Sequence, residues 1–184
     1  FNLDPLRPVV VYKSSWRQDT NLLGCHDGVE ESYHAFLDAA KVLPDLQYIV
    51  SCHPRGNNVP WHVQEAEKAG INCAITDQHL DVWMNAADVL LCYGVSNVVL
   101  EQATLNNAHL IVVGDDQAFP NDAEIVKVSA NGTQIVDVLH TCLAQPLPDY
   151  RAFVHKYLGT LDGQASTRIA TWMRELHDGR SNHN

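Results

Sequence analysis

Short, largely apolar runs and longer amphipathic stretches alternate along most of the chain. Val9–Tyr12, Tyr48–Cys52, Ile71–Ile75, Val89–Cys92 and His109–Val113 are four- or five-residue runs rich in β-branched side chains. That is the composition of strands buried on both faces of a parallel sheet. Glu124–Val128 predicts a sixth, short strand. Between them the period changes: Val29, Tyr33, Phe36, Leu37, Ala40 and Leu43 fall on one helical face. Asp27 and Glu30 give that helix a capping-box-like start, and Pro44 ends it. Further helices are predicted from about Trp61 to Ala69, stopped by Gly70, over His79–Ala86, from Ser96 to about Asn107 and from Thr133 to Leu143. The tail is predicted helical over Tyr150–Leu158 and, after a break at Gly159–Gly163, over Ala165–Leu176.

Strands alternating with helices of this length imply parallel βαβ units. The predicted fold class is therefore α/β, a Rossmann-like doubly wound parallel sheet of five or six strands with helices on both faces. One domain is read over residues 8–178. Residues 1–7, with Asp4-Pro5 and Arg7-Pro8, read as a linker, and residues 179–184 as a disordered tail. The start at Phe1 suggests a piece of a longer protein.

Charge and cysteine usage narrow the partners. The 184 residues carry a formal net charge of −10, which repels a nucleic-acid backbone or an anionic bilayer, although a local basic pocket can still hold one phosphate. The five cysteines (Cys25, Cys52, Cys73, Cys92, Cys142) form no CxxC pair, which argues against zinc-ribbon and redox motifs. Three of them sit in or beside apolar runs as small hydrophobes. A reducing, cytoplasmic setting is expected, because neither a signal-peptide pattern nor a transmembrane run stands in the sequence. His26, His34, His62, His140, His155 and His177 show no metal-ligand spacing, so no metal is expected. The sequon at Asn131 carries little weight in such a setting.

In an open parallel sheet, ligands bind beyond the carboxyl ends of the strands. No GxGxxG follows any strand, which argues against a dinucleotide cofactor, and no Walker A, GxSxG or HExxH motif is present. The most informative stretch is Asp88–Glu101, in which a strand runs into a Gly94-containing turn and Ser96 opens a helix. Free backbone amides and the helix dipole make that turn a phosphate cradle. Glu101, five residues on, is placed to accept hydrogen bonds from a ribose diol. Equally, Ser96 can be a plain helix cap and Glu101 a solvated charge. Trp61, Trp83 and Trp172 read as packing residues, and Trp16, in the polar loop Lys13–Asp27, as the aromatic to suspect of touching a ligand.

The stretch Asp88–Glu101 resembles the C-terminal, donor-binding half of GT-B glycosyltransferases, in particular the group of UDP-N-acetylglucosamine 2-epimerase, CDP-glycerol glycerophosphotransferases and surface-polysaccharide transferases. There a strand is followed by a Ser-Gly-Gly or Ser-Ser turn and, five residues after the first Ser, a carboxylate; Ser96, Asn97 and Glu101 occupy those places. Leu80–Asp88 is similar to the short helix ahead of that strand, His53-Pro54-Arg55 resembles the His-Pro pair ending the second strand of the CDP-glycerol group, and Asp162–Ile169 resembles the terminal helix of the polysaccharide members.

The resemblance implies that the turn amides, Ser96 and Asn97 hold a nucleoside diphosphate and that Glu101 holds its ribose. Gln78, between Asp77 and His79, falls where the base is read. Asp115, followed by Asp116, would meet the donated sugar or alcohol. His53 would serve as catalytic acid/base, its imidazole titrating near working pH, with Arg55 as a partner cation. The expected function is transfer of a sugar, or of a polyol phosphate, from a nucleoside-diphosphate sugar or CDP-alcohol. No metal or other cofactor is demanded, and a saccharide or other acceptor would be held by a missing N-terminal domain. Two departures keep alternatives open. Tyr93 stands where retaining enzymes carry a glutamate eight residues before Glu101, and Asn97-Val98 replaces the Gly-Gly of the epimerases. A nucleotide-sugar 2-epimerase and a non-catalytic Rossmann-like binding domain are the alternatives.

Overall fold

The computed structural model describes residues 3–14, 27–53, 59–78, 81–94, 96–114, 119 and 122–181. Six strands form one sheet: β1 (Val9–Lys13), β2 (Gln47–Ser51), β3 (Ala74–Thr76), β4 (Val89–Tyr93), β5 (His109–Val113) and β6 (Val126–Val128). Every pairing is parallel, in the order β3-β2-β1-β4-β5-β6. The strand order reverses between β1 and β4, the topological switch point of a doubly wound sheet. The predicted α/β architecture is therefore the observed one.

Among the described residues seven helices surround it: α1 (Asp27–Val42), α2 (Val59–Ala69), α3 (Asp81–Met84), α4 (Asn97–Leu105), α5 (Gly132–Leu143), α6 (Arg151–Leu158) and α7 (Ala165–Ser181). Alternate strand residues point to two separate cores. Val10, Tyr12, Val50, Leu91 and Ile111 pack under α1 and α5, with Phe36, Ile135 and Leu139. Val9, Val11, Leu90, Leu110 and Val112 pack under α4 and α6, with Val99 and Phe153. Continuous apolar runs are what a sheet covered on both faces requires, and β1 and β5 are buried at every position.

The structure corrects several element limits. The third strand holds only Ala74–Thr76, because Ile71–Cys73 lies outside the ladder at the sheet's edge. Of the helix expected over His79–Ala86, residues 79–80 lie outside the described residues, Asp81–Met84 form one turn, and Asn85 and Ala86 leave it in a turn. The last helix runs on to Ser181, and its described side chains, 165–177, are all exposed. The Asn131 side chain caps α5, accepting from Thr133 N and Gln134 N at 2.9 and 3.2 Å. Ahead of β1, the Arg7 guanidinium donates to the carbonyls of Pro44, Asp45 and Leu46 at 2.8–3.0 Å, satisfying chain polar groups between α1 and β2. Among the described residues no helix is long and apolar enough to cross a membrane.

Candidate functional site

The carboxyl ends of the strands line up along one rim, in the order Gln78, His53, Lys13-Ser14, Tyr93-Gly94 with Ser96, and Gly114, as the strand order dictates. β4 leaves the sheet through Gly94, whose φ of +64° lies in the left-handed region that a side chain disfavours. The chain returns to extended geometry at Ser96 (φ −140°, ψ 141°), and α4 begins at Asn97. Ser96 Oγ accepts from Val98 N at 3.3 Å. The serine therefore fixes the direction of the first turn of α4 at the switch point.

Of the sequence-predicted residues, Ser96 is half-buried and Asn97 lies exposed in that first turn; Glu101 is exposed on the next. His53 is half-buried at the end of β2. Gln78 is exposed beyond β3, its backbone N–H donating to Thr76 Oγ1 at 3.1 Å. Arg55 and Asp115 fall outside the described residues, as do Trp16, His79 and Asp116. Ser96, Asn97 and Glu101 thus share one helix end, while His53 and Gln78 stand on the far side of β1. Trp83 is buried and Trp61 packs on Tyr33 and His62, as expected of packing residues, whereas Trp172 is 60 % exposed.

Lys13 and Ser14, at the end of the first predicted strand, meet a histidine of α2 that sequence reasoning left out of the site. Lys13 ends β1 only 7 % exposed, its Nζ donating to Ser14 O at 2.7 Å. Ser14 Oγ lies 2.9 Å from Nε2 of His62, itself fully buried on α2. Tyr33 donates to the His62 carbonyl at 2.9 Å, which fixes the histidine's helix against α1. The available signal was the alternation of β1: Lys13, read above as the first residue of the polar loop, is the last residue of the strand and follows Val11 onto the α4 face.

Tyr93 closes the other face. A Cβ at Gly28, on the first turn of α1, would run into its hydroxyl, and one at Gly114 would come within 2.9 Å of its ring. Glycine at both positions lets the tyrosine lie across the end of the sheet, where the resemblance would have allowed a glutamate. Burial pushes the Cys92 thiol up to about 11, against the opposing pull of the Ser96 hydroxyl and the Lys13 ammonium. It stays protonated at neutral pH and is no nucleophile. The rim can hold an anion on α4 and offers polar groups on both sides of it.

This architecture is that of one Rossmann-like half of the GT-B fold. No protein-family profile matches the chain, and no curated protein matches it in sequence. Solved structures do. The UDP-GlcNAc 2-epimerase from Neisseria meningitidis, determined with UDP-GlcNAc bound, superposes with a TM-score of 0.58 at 13 % identity, over 94 % of this chain and 45 % of its own. The wall teichoic acid polymerase TagF gives 0.56 at 15 % identity, over 97 % and 46 %. The α,α-trehalose 6-phosphate synthase from Burkholderia multivorans gives 0.58 at 14 %, over 97 % and 44 %. The chain thus spans less than half the length of these proteins. At such identities the likeness is one of fold, and it supports the resemblance to glycosyltransferases and the 2-epimerase read from the sequence.

Proposed function

We propose that this chain is the donor-binding half of a glycosyltransferase, or of a polyol-phosphate transferase, that uses a nucleoside-diphosphate-activated donor. The observation that carries the reading is the position of the Ser96-capped end of α4 at the β1/β4 switch point. The positive end of the helix offsets charge that grows on the leaving diphosphate as the donor bond breaks. No divalent metal is needed for that role. Glu101 would take the ribose hydroxyls and Asn97 the second turn contact. His53 and Arg55 would face the transferred group, Gln78 the base, and Asp115 the sugar or alcohol moiety. The acceptor would be held by a partner half, of the kind that makes up the rest of the similar structures.

Calorimetric titration of UDP, CDP, GDP and ADP tests the reading directly. Saturable binding of at least one diphosphate, competed by the matching nucleotide sugar or CDP-alcohol, is expected. Failure of all four to bind would return the chain to the class of non-catalytic scaffold domains.

A further inference from the structure

We propose that Gln102 is a positioning residue for base recognition: with Asn107 it locks the one-turn helix α3, which starts three residues after Gln78, onto the donor helix α4, and so sets which base the site accepts. The inference rests on the nucleoside-diphosphate reading above and adds to it a joint between the base contact and the ribose contact.

Gln102 is the neighbour of Glu101 in sequence but not in environment. Glu101 is exposed, whereas Gln102 is fully buried against the end of α3. Its Nε2 donates to the Met84 carbonyl at 3.0 Å and to Asn107 Oδ1 at 2.6 Å. Asn107 Nδ2 donates in turn to the same Met84 carbonyl at 3.1 Å and to that of Asn85 at 3.5 Å. Asn106 makes this return possible. At φ +50° it is left-handed, and its N–H bonds back to Gln102 O at 3.3 Å, so the next side chain comes back beside the helix it has just left. Asparagine is among the residues that tolerate this conformation.

Stability alone does not call for a glutamine here. Trp83 on α3 and Val99 and Ala103 on α4 belong to one buried apolar cluster. A methionine of similar length would need no partners, whereas the Gln102 Oε1 meets no donor among the described residues and bears the cost of that burial. What the amide supplies is direction. A helix of four residues does not hold itself, and its last carbonyls find no partner within it. Two interlocked amides on one of those carbonyls fix α3 against α4. Gln78 is tied to the end of β3 through Thr76, and the chain beyond it must meet α3 within three residues. The helix that carries Glu101 thereby also limits where the base contact can stand.

The test is calorimetric titration of UDP, CDP, GDP, ADP and inorganic pyrophosphate (charge without nucleoside) into wild type, Gln102→Met, Asn107→Ala and the double variant, with thermal melts of each free protein. For Gln102→Met, affinity for the preferred nucleotide should fall about tenfold and its margin over the other three should shrink, while pyrophosphate stays within a few-fold of wild type. Asn107→Ala should act in the same way, and the double variant should lose no more than either single one, because both side chains serve one carbonyl. A Gln102→Met protein that keeps the wild-type base preference overturns the inference. So does one that loses pyrophosphate and nucleotides in equal proportion while melting lower, the mark of a merely structural glutamine. Should Gln102→Met not fold, Asn107→Ala carries the test alone, with the same outcomes. If wild type binds none of the four nucleotides, the donor reading fails and takes this inference with it; if it binds them without preference, the donor reading stands and this inference alone fails.

Discussion

Glu101 and Ser96 occupy neighbouring turns of α4 and separate the two parts of the proposed donor contact. A carboxylate accepting from a ribose diol makes charge-assisted hydrogen bonds worth about 1.5–3 kcal/mol each. Glu101→Ala should therefore weaken nucleotide binding roughly ten- to a hundredfold in calorimetry, and equal affinities would remove its ribose role. Ser96→Ala should weaken it less, because backbone amides would carry most of the phosphate contact. Away from the rim, one buried bond invites a stability test. His109 N donates to Asp88 O on the β4 side, so Leu110 N faces the other way, where β6 has not yet begun; there it donates to the Tyr150 hydroxyl at 3.2 Å. Tyr150→Phe should strand that amide and cost about 1–3 kcal/mol, read as a lower urea midpoint at unchanged slope. Ser96 was legible in the sequence because cap chemistry is local, with side chain and amide two residues apart. The buried state of Lys13 was not, since it depends on which neighbours cover the end of a strand.

At the scale of elements, the limits that the sequence missed were those set by partners in space. The apolar character of Ile71 and Cys73 suggested ladder residues, yet β3 pairs only through Ala74–Thr76 at the edge. The segment after β5 illustrates the same point. Phe119, at φ +48°, packs edge-on to Phe153 and Tyr157, and Asp122 accepts from Lys156 Nζ at 2.8 Å and from Tyr157 Oη at 2.6 Å. This clasp fastens the segment to α6 although some 35 residues separate the partners in sequence. Burial alone would raise the Asp122 carboxyl, but the Lys156 and Tyr157 hydrogen bonds outweigh it and hold it below the ordinary value. A folded pKa below the unfolded one, about 3.9, means that the stabilisation is complete above that pH and disappears as pH falls through the folded value. Thermal melts of wild type and Asp122→Asn should accordingly differ by a constant amount near neutrality and converge below about pH 4. A gap that persists in acid would mean that the asparagine fails for reasons of packing.

On the scale of the whole molecule, the doubly wound sheet was legible because each apolar run is both a strand and a core layer, so one pattern encodes two levels of structure at once. The terminal helix obeys different physics. Ala165, Ile169, Trp172, Met173 and Leu176 form one stripe, yet Ile169, Trp172 and Met173 are 57–61 % exposed and Leu176 46 %. The sequence shows the stripe, and the folded domain leaves it uncovered. The start of α7 is held: Asp162 accepts from Gln164 N at 2.9 Å and pairs with Arg168 at 2.8 Å, and Arg168 also reaches Thr160 O. A helix of 17 residues without a packed face is marginal in water, and β-branched Thr167, Ile169 and Thr171 lower its propensity further. Local opening of α7 should therefore cost far less than global unfolding. Hydrogen exchange should find the amides of residues 171–181 nearly unprotected, while those of β1 and β4 exchange only through global unfolding. Removing residues 165–184 should leave the melting temperature unchanged. Core-like protection at Trp172 and Met173 in the same experiment would show instead that the stripe is covered in solution.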